Sequence, residues 1–523
     1  MLPNTISLSL LKNPASKVLD SAYFPINPDN SWRIAAPFRL DHSYDMTLVH
    51  PRASDAGSMA YFKWADTKSN YKCRFSWVGG EPPFRLTLLT YPAGATIGGS
   101  VVQVFGRTQD ATVPSMYVHT VPNNYAEIDW LPSAGQHGNT YSFSALVEDQ
   151  AGRQLVIPWS VTVDDTKFKY FDSSLGSDLN TGTFESPYQT IAHGFALASS
   201  NNYIFKLKDG SYPLNQSTAS NKCRSIIGVG NSAVLDTSAG GISGNFDDFA
   251  IINCDVDGSP VTSGHFKPVN IQSRSRRVVF HKLRFKNIVP TSHGDNASCI
   301  FTAGLGAPSA TKHEYISITE CTADSTVRAQ MICTYSCDYV VVDSPVGLGL
   351  NIPASPYGAK FVHFKDQTSN VSCRFASCSG LTDNIMISFA NQYPQNAYNQ
   401  ECIYAKVNYT GNSAQAAISW NGQGTTSPYK GTSQYLMRAS IRGGTQKPVG
   451  SESLGTGGEK LNISSCVWSS SDIFYKTEGG QEFGTASAQI TDAQWDGSMN
   501  MVAAVRAANL GYRGAEIAST LVT

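Results

Sequence analysis

Two acidic and two basic side chains at strand-like spacing are the clearest chemical groups in this sequence. Asp255 and Asp257 flank an apolar residue in DVD, and Arg284 and Lys286 do the same in RFK about one repeat later. If these segments stack as neighbouring strands, Asp255 faces Arg284 and Asp257 faces Lys286. Such a cluster is either an ion ladder that supports strand pairing or a charged groove floor for an acidic sugar, and we favour the ladder.

Three further carboxylates, Asp324, Asp338 and Asp343, fall on successive strand-like segments. Polysaccharide hydrolases use a pair of carboxylates, one as general acid and the other as base or nucleophile. No catalytic motif surrounds these three residues. They are the candidates for catalysis in a site that the sequence otherwise leaves unassigned.

Aromatic and amide side chains are concentrated in NQYPQNAYNQE, residues 391–401, and in SWNGQGTTSPYK, residues 419–430. Aromatic faces pack on sugar C–H groups, and amides hydrogen-bond sugar hydroxyls. An ordinary polar loop pair or a contact with a neighbouring chain is the alternative interpretation. The expected glycan-binding platform consists of Tyr393, Tyr398, Trp420 and Tyr429.

The cysteines do not suggest a metal site. The chain has 11 of them, an odd number, so at least one thiol is unpaired. Cys254, Cys373 and Cys466 lie inside apolar strand patterns, where a thiol behaves as a small hydrophobe. Cys333 and Cys337 lack a second pair at zinc spacing. We expect reduced, buried thiols, no metal and no cofactor.

The composition excludes several classes of protein. A net charge of -1 and a charged fraction of 15% lack the basic face of a nucleic-acid-binding protein, and a hydrophobic fraction of 41% argues against disorder. No apolar stretch approaches the ~20 residues that cross a bilayer. The first residues, MLPNTISLSLLKNPASKVLD, lack the pattern of a secretory signal, so we expect the chain to fold in cytoplasm or to be exported without such a signal.

A loose repeat of strand-like segments dominates the chain after residue 200. Intervals of 24 to 37 residues fit one coil of a parallel β-helix, whereas a propeller repeat is longer and an α-solenoid needs a 3.6-residue period. Apolar residues and cysteines alternate with polar residues, so the apolar set should stack inside a rod. Cys321 and Cys466 fall out of phase, which a bulge or a shifted turn would explain. The segments begin at residues 250, 279, 316, 340, 371, 403, 435 and 461.

Residues 70–165 carry a different pattern. Residues 141–147 and 155–163 alternate between apolar and polar side chains around the turn EDQAGRQ, which predicts a β-hairpin. The segments GGEPPFRLTL, IDWLPSAGQHGNTYSFSALVEDQAG and IPWSVTVDD resemble the Ig-like and cadherin-like modules of bacterial and phage surface proteins. This resemblance implies a β-sandwich and says little about function.

The segment YFDSSLGSDLNTGTFESPYQTIAHGFALA is similar to the first part of many pectate-lyase-like β-helix proteins. There a G-S-D-x-N-x-G loop precedes a short helix that covers the open end of the rod. The resemblance implies such a helix within residues 168–200, with Ile191, Phe195 and Leu197 on its buried face. A second helix, from about Met499 to Asn509, is expected to close the C-terminal part, residues 496–523.

The expected fold is therefore all-β. An extended N-terminal docking arm (residues 1–68) precedes the Ig-like β-sandwich (70–165). The first segment and capping helix (168–200) lead into a single-stranded right-handed parallel β-helix (201–495), and a short capping helix and tail follow (496–523).

This combination of parts resembles a phage virion appendage of the tailspike, tail-fibre or head-decoration type. The resemblance implies folding in the host cytoplasm and a final place on the virion surface. It also implies contact with other virion proteins through the arm, and a homotrimer is one assembly that it allows. The leading hypothesis is attachment to host-surface polysaccharide or decoration of capsid or tail, without nucleic-acid binding or membrane insertion. The alternatives are a β-helix depolymerase, hydrolase or lyase, that acts on capsule or O-antigen, and a purely structural cement or spike protein.

Overall fold

The structure is a computed structural model that describes residues 63–512 with internal gaps. The predicted arm up to residue 62, Cys466 and the predicted helix from Met499 to Asn509 lie outside the described residues. The gaps are residues 99–117, 122, 199–201, 215–222, 245–247, 259–266, 272–275, 291–296, 304–312, 351–359, 366–367, 382–384, 392–398, 404, 410–417, 423–432, 438–439, 443–448, 452–459, 465–466, 469–474, 478–488, 492–493 and 496–510.

Three long parallel sheets form the rod, which confirms the predicted parallel β-helix. Each full coil adds one strand to sheet 1, then one to sheet 2, then one to sheet 3, before the chain returns to sheet 1 one layer further along. In the part of the chain that the structure describes, these sheets have 13, 11 and 9 strands.

The strands of sheet 1 are β9 (Phe168–Phe171), β10 (Tyr203–Leu207), β12 (Cys223–Gly228), β15 (Asp248–Ile252), β18 (Arg277–His281), β21 (His313–Thr319), β24 (Cys337–Asp343), β27 (Asn370–Arg374), β30 (Asn399–Ile403), β33 (Ser433–Met437), β36 (Lys460–Ser464), β39 (Gln489–Thr491) and β41 (Gly511–Tyr512). Those of sheet 2 are β11 (Gly210–Pro213), β13 (Ala233–Asp236), β16 (Asp255–Asp257), β19 (Arg284–Lys286), β22 (Thr322–Ala323), β25 (Val346–Gly347), β28 (Ser377–Leu381), β31 (Lys406–Tyr409), β34 (Ser440–Arg442), β37 (Val467–Trp468) and β40 (Gln494–Trp495). Those of sheet 3 are β14 (Ile242–Gly244), β17 (Val269–Ile271), β20 (Ser298–Ala303), β23 (Gln330–Tyr335), β26 (Lys360–Lys365), β29 (Ile385–Asn391), β32 (Ile418–Gly422), β35 (Val449–Ser451) and β38 (Tyr475–Thr477).

Apolar side chains stack inside the rod in continuous columns. The period-2 alternation of a strand sends one set of side chains inward, and parallel pairing places each above its counterpart. Every member of the column shown here is fully buried, and neighbours are in register. It consists of Ile226, Ile251, Phe280, Ile318, Val342, Cys373 and Cys402.

A sharp corner joins sheet 1 to sheet 2 in successive coils. One residue at each corner adopts the left-handed backbone conformation, with φ between 51° and 54°, and the residue after it turns into the core. Cys321 follows Glu320 in this way, so the shifted turn expected from its phase is present and the thiol is buried. The stacked corner residues are Asn253, Lys282, Glu320, Ser344 and Phe375.

The predicted register is right for some coils and wrong for others. The segments at 250 and 279 pair as predicted, and so do those at 316, 340 and 371. The segment at 316 is out by one residue, because Val279 pairs with Ser317. Here Val278 and Val279 are both buried, so alternation does not show which faces inward. The segment at 403 is out by three, because its pattern was read across a corner and Val371 in fact pairs with Gln400.

A single short helix, α1 (Ile191–Ala198), caps the N-terminal end of the rod core. Ile191 and Phe195 are buried and Leu197 is partly buried, which confirms the predicted inner face. The helix packs closely, since a Cβ on Gly194 would lie 2.4 Å from the ring of Phe171.

Residues 64–163 form a module of two sheets around a shared apolar core. The predicted hairpin is present: its two long strands pair antiparallel around a turn in which Gly152 has φ 83°. Kinship with Ig-like modules stays a prediction. One sheet contains β1 (Trp64–Ala65), β8 (Gln154–Val163), β7 (Thr140–Glu148), β3 (Phe84–Thr90) and β5 (Val118–Val121), and the other contains β2 (Tyr71–Ser76), β6 (Tyr125–Trp130) and β4 (Thr96–Gly98).

This module packs against the outer face of sheet 1. Its core is continuous with outward-facing rod residues, which are buried beneath it although they point away from the rod interior. Burial of apolar area from both sides holds the two parts together. The rod residues in this cluster are Ala250, Ile252, Val279, Tyr315, Val341, Phe375 and Ile403.

Among the described residues, no helix has the length and apolar character needed to cross a membrane.

We expect Cys254 and Cys373 to resist thiol reagents in the native protein. Both are free and fully buried, and burial raises the pKa of Cys254 to about 12, so its reactive thiolate is scarce. Peptide mass spectrometry after timed labelling should show rapid modification of both only in denaturant. The same is expected of Cys466. Fast labelling of Cys254 or Cys373 in the native state would contradict their positions inside the rod.

Candidate functional site

The N-terminal module covers the outer face of sheet 1 and contacts it through a set of polar side chains, called here the polar joint. Asp343 lies at its centre, fully buried. Its carboxylate accepts hydrogen bonds from the backbone N–H of Asn124 at 2.7 Å, from the side-chain amide of Asn123 at 2.8 Å and from the hydroxyl of Ser344 at 2.9 Å. A carboxylate enclosed in this way anchors the module, and a polysaccharide at the protein surface cannot contact it. The structure therefore gives Asp343 a structural place rather than the expected catalytic one.

Several charged side chains surround this anchor. Arg74 of the module pairs with Glu127 and lies 3.3 Å from a carboxylate oxygen of Glu320 on the rod. Tyr125 donates a hydrogen bond of 2.6 Å to the same Glu320. Paired and hydrogen-bonded charges are the form in which charge is tolerated in an interior.

A second buried pair reinforces the same joint. The guanidinium of Arg374 contacts the carboxylate of Glu401 at 2.7 Å, and both side chains are completely buried. Arg374 also donates to the backbone carbonyl of Gly80 in the module at 2.7 Å. Removal of either charge would leave the other buried and unpaired. The pair therefore holds the Arg374 guanidinium in the position where it contacts Gly80 of the module.

The other two candidate carboxylates do not meet Asp343 in one site. Asp338 and Asp343 lie near opposite ends of the same strand, β24, in sheet 1. Asp324 follows β22 in sheet 2, is exposed, and accepts a hydrogen bond from the backbone N–H of Thr326 at 2.9 Å. The three acids that the sequence offers as candidates for catalysis therefore do not form one site.

The predicted aromatic platform falls largely outside the described residues, which contain none of Tyr393, Tyr398 and Tyr429. Trp420 belongs to β32, where its backbone is in register with that of Phe389, and the ring of Phe389 lies in the rod core. The description does not extend to the Trp420 side chain. Glycan binding by these four residues stays a prediction.

Sheet 2 carries the charged cluster that the sequence predicts. Asp255 is in register with Arg284, and Asp257 is in register with Lys286. Arg284 pairs with Asp255, while the ammonium of Lys286 lies 3.6 Å from Asp257 and 3.9 Å from Asp255. All four side chains remain 20–38% exposed, so the cluster lies on an accessible face.

The sequence analysis missed a further carboxylate, Asp236, at the end of β13. Its backbone is in register with Asp257 on the next coil, and it is partly exposed. Among the described residues no cation pairs with Asp236. The signal was only partial, because Asp236 in AVLDT matches Asp257 in CDVDG but Val234 replaces Asp255, and the predicted repeat begins at residue 250.

These groups form one column on the outer face of sheet 2. Asp236, Asp257 and Lys286 occupy equivalent positions on three successive coils. Asp324 continues the column, because Ala323 pairs with Phe285 and the N–H of Asp324 donates to the carbonyl of Phe285 at 3.3 Å. Stacked strands are ~4.8 Å apart, so carboxylates on adjacent coils are brought close together.

Hydrogen bonds fix the orientation of two of these carboxylates. The side-chain amide of Asn287 donates to Asp257 at 3.0 Å, and the backbone N–H of Asn287 donates to the hydroxyl of Thr326 at 2.6 Å. That hydroxyl in turn donates to Asp324. The chain of contacts connects three coils and holds the column in one arrangement.

Within the same described part, no cluster of three or more His, Cys, Asp or Glu side chains has an arrangement that could hold a metal ion.

No protein-family model matches this chain, and no curated protein matches it. Similar solved structures are glycoside hydrolases. A GH136 lacto-N-biosidase from Eubacterium ramulus has a TM-score of 0.35 and 10% identity, over 63% of this chain and 68% of that chain. The catalytic unit of a GH87 alpha-1,3-glucanase from Streptomyces thermodiastaticus has a TM-score of 0.31 and 8% identity, over 87% and 95%. A GH87 alpha-1,3-glucanase catalytic domain in complex with nigerose has a TM-score of 0.28 and 10% identity, over 88% and 97%. At these scores the likeness decides neither fold nor function.

We expect Asp343 to make the stability of the protein depend on pH. Burial raises the pKa of Asp343 to about 6, above its ordinary value of 3.8, so the folded state binds this proton more tightly than the unfolded state. Its contribution to the free energy of unfolding is full below pH 4 and is lost as pH rises through about 6. Denaturant unfolding of wild type and Asp343→Asn from pH 4 to pH 8 measures the difference. As pH rises, the free energy of unfolding of Asp343→Asn should increase relative to that of wild type by up to about 3 kcal/mol.

The control for this experiment is Leu131→Ser, which changes an exposed side chain and removes no titratable group. Its difference from wild type should be nearly constant over this range. A constant difference for Asp343→Asn as well would show that Asp343 titrates normally.

Proposed function

We propose that the protein is a polysaccharide depolymerase that hydrolyses glycosidic bonds on the outer face of sheet 2. One observation carries this proposal: Asp236 and Asp257 are outward-facing carboxylates in register on adjacent coils of an accessible sheet. The ~4.8 Å separation of stacked strands is close to the ~5–5.5 Å between carboxyl groups in glycosidases that retain configuration.

The contacts of the two residues suggest their roles. Asp257 is held by Asn287 and lies beside Lys286, so its orientation is fixed and we assign it as the nucleophile that attacks the anomeric carbon. Asp236 has no cationic partner in the described part of the chain and is assigned as the group that protonates the departing sugar oxygen. Water then attacks the glycosyl–Asp257 ester, gives its proton to Asp236 and releases the second product.

Attachment without cleavage is the second candidate function, and ion pairing on sheet 2 favours it. The pairs Arg284–Asp255 and Lys286–Asp257 neutralise charges that a catalytic site would leave available. In this proposal the rod presents a glycan-binding or decorating surface on a virion, the N-terminal arm before residue 63 docks it there, and Trp420 and its neighbouring tyrosines bind the sugar.

Substitution of the two carboxylates tests the first proposal. The substrate is a capsular or lipopolysaccharide glycan that the wild-type protein cleaves. On it, Asp236→Asn and Asp257→Asn should each lower kcat by about a thousandfold or more, while binding of the glycan persists. Asp129→Asn, a surface change on the module, is the matched control and should leave kcat unchanged. Loss of activity in Asp324→Asn but not in Asp236→Asn would show that Asp324, on the other side of Lys286, is the general acid. Full activity in Asp257→Asn would refute the proposed site.

Attachment predicts a different set of results. Wild-type protein would bind host glycan without releasing reducing ends, and Trp420→Ala would weaken binding by about 1–3 kcal/mol. Asp236→Asn and Asp257→Asn would leave that affinity unchanged. Absence of both binding and cleavage with every host glycan would leave the structural cement role.

A further inference from the structure

The carboxylate pair lies close to one end of sheet 2. Asp236 and Asp257 belong to β13 and β16, the second and third of the 11 strands in the described part of this sheet. One strand, β11, precedes them and eight follow. A glycan along this face therefore meets far more protein on one side of the pair than on the other.

A loop, residues 172–188, lies at the short end. It follows β9 and contacts β11, since a Cβ on Gly210 would meet the hydroxyl of Ser173 at 2.2 Å. The ammonium of Lys208 lies 3.7 Å from the carboxylate of Asp172 in the loop. The carboxylate of Asp178 accepts two backbone N–H groups just before helix α1, at 3.0 and 2.9 Å. These bonds hold the loop at the end of the rod.

Two large apolar side chains on this loop face solvent. Leu175 is 85% exposed and Leu179 is 97% exposed, more than any other large apolar residue in the described part of the chain. Neither side chain contributes to the packing of the rod, and together they offer apolar area that a ligand can cover. The C–H faces of a sugar ring are a suitable partner for them.

The long side of the pair continues the same column. After Lys286 and Asp324 comes Leu348, which is 58% exposed and whose N–H donates to the carbonyl of Ala323 at 2.9 Å. Beyond it β28 and β31 continue sheet 2. This side has room for several sugars in a row.

We propose that the loop of residues 172–188 receives the terminus of the glycan, so that the enzyme releases short products from a chain end. This inference rests on the proposed hydrolase function. The ~4.8 Å rise of one coil is close to the length of one pyranose unit, so β11 and the loop together provide about one or two sugar positions beyond the scissile bond. Cleavage within long chains at random would require an open face on both sides of the pair.

Product sizes test the proposal directly. The substrate is a glycan that the wild-type protein cleaves, prepared as oligosaccharides of defined length with one labelled end. It is incubated with wild-type protein, and the products at early times are analysed by mass spectrometry. Mono- and disaccharides should accumulate from the first turnovers, together with substrate shortened by the same amount. An early mixture of all lengths would overturn this inference and leave the hydrolase proposal intact. Absence of turnover would overturn both.

Variants of the two sides provide the second measurement. Leu175→Ser with Leu179→Ser should raise KM several-fold for all chain lengths and change kcat little, because only ground-state contacts are removed. Leu348→Ser should raise KM for long chains and leave it unchanged for the shortest cleaved ones. Leu131→Ser, at a 57% exposed position on the module, is the matched control. A double loop variant with the KM and product sizes of that control would refute the role of the loop.

Discussion

The corner between sheets 1 and 2 is the constraint on which the rest of the rod depends. At successive coils one residue takes a left-handed backbone conformation, although only Asn253 among the five is of a type that adopts it readily. Hydrogen bonds from each corner N–H to the next coil, such as Glu320 to the carbonyl of Asp343 at 2.9 Å, stabilise it. Because the corner recurs at five successive layers, their inward residues join one core and their outward residues form straight columns.

Those columns divide the outside of the rod between two tasks. On sheet 1 the outward columns contact the N-terminal module, and Asp343, Arg374 and Glu320 bind its loops and strands. On sheet 2 the outward column remains accessible and carries Asp236 and Asp257. A carboxylate at an outward strand position thus either binds the module or stays accessible to solvent, and the difference lies in what covers the sheet.

Local pattern was enough to predict the rod and the pairing of Asp255 with Arg284, because both depend on alternation or on neighbouring coils. The capping helix was implied by the resemblance to pectate-lyase-like proteins. The role of Asp343 was beyond reach: its partner Asn124 lies 219 residues away in sequence, and no periodicity connects them. Coverage by the module also buries Val279 on the outer face of β18 as deeply as Val278 on its inner face, which concealed the register there. Asp236 was missed for a simpler reason, since the repeat was not extended to earlier coils.

The docked module touches many coils at once, from Ala250 to Ile403. Coils of a β-helix otherwise contact only the layers directly above and below, so such a rod can unravel one layer at a time from an open end. The module acts as a splint across the layers it spans and couples their opening, because no spanned coil can peel away without breaking the shared interface. Unravelling that starts at the C-terminal end should therefore halt near residue 403, where the splint begins.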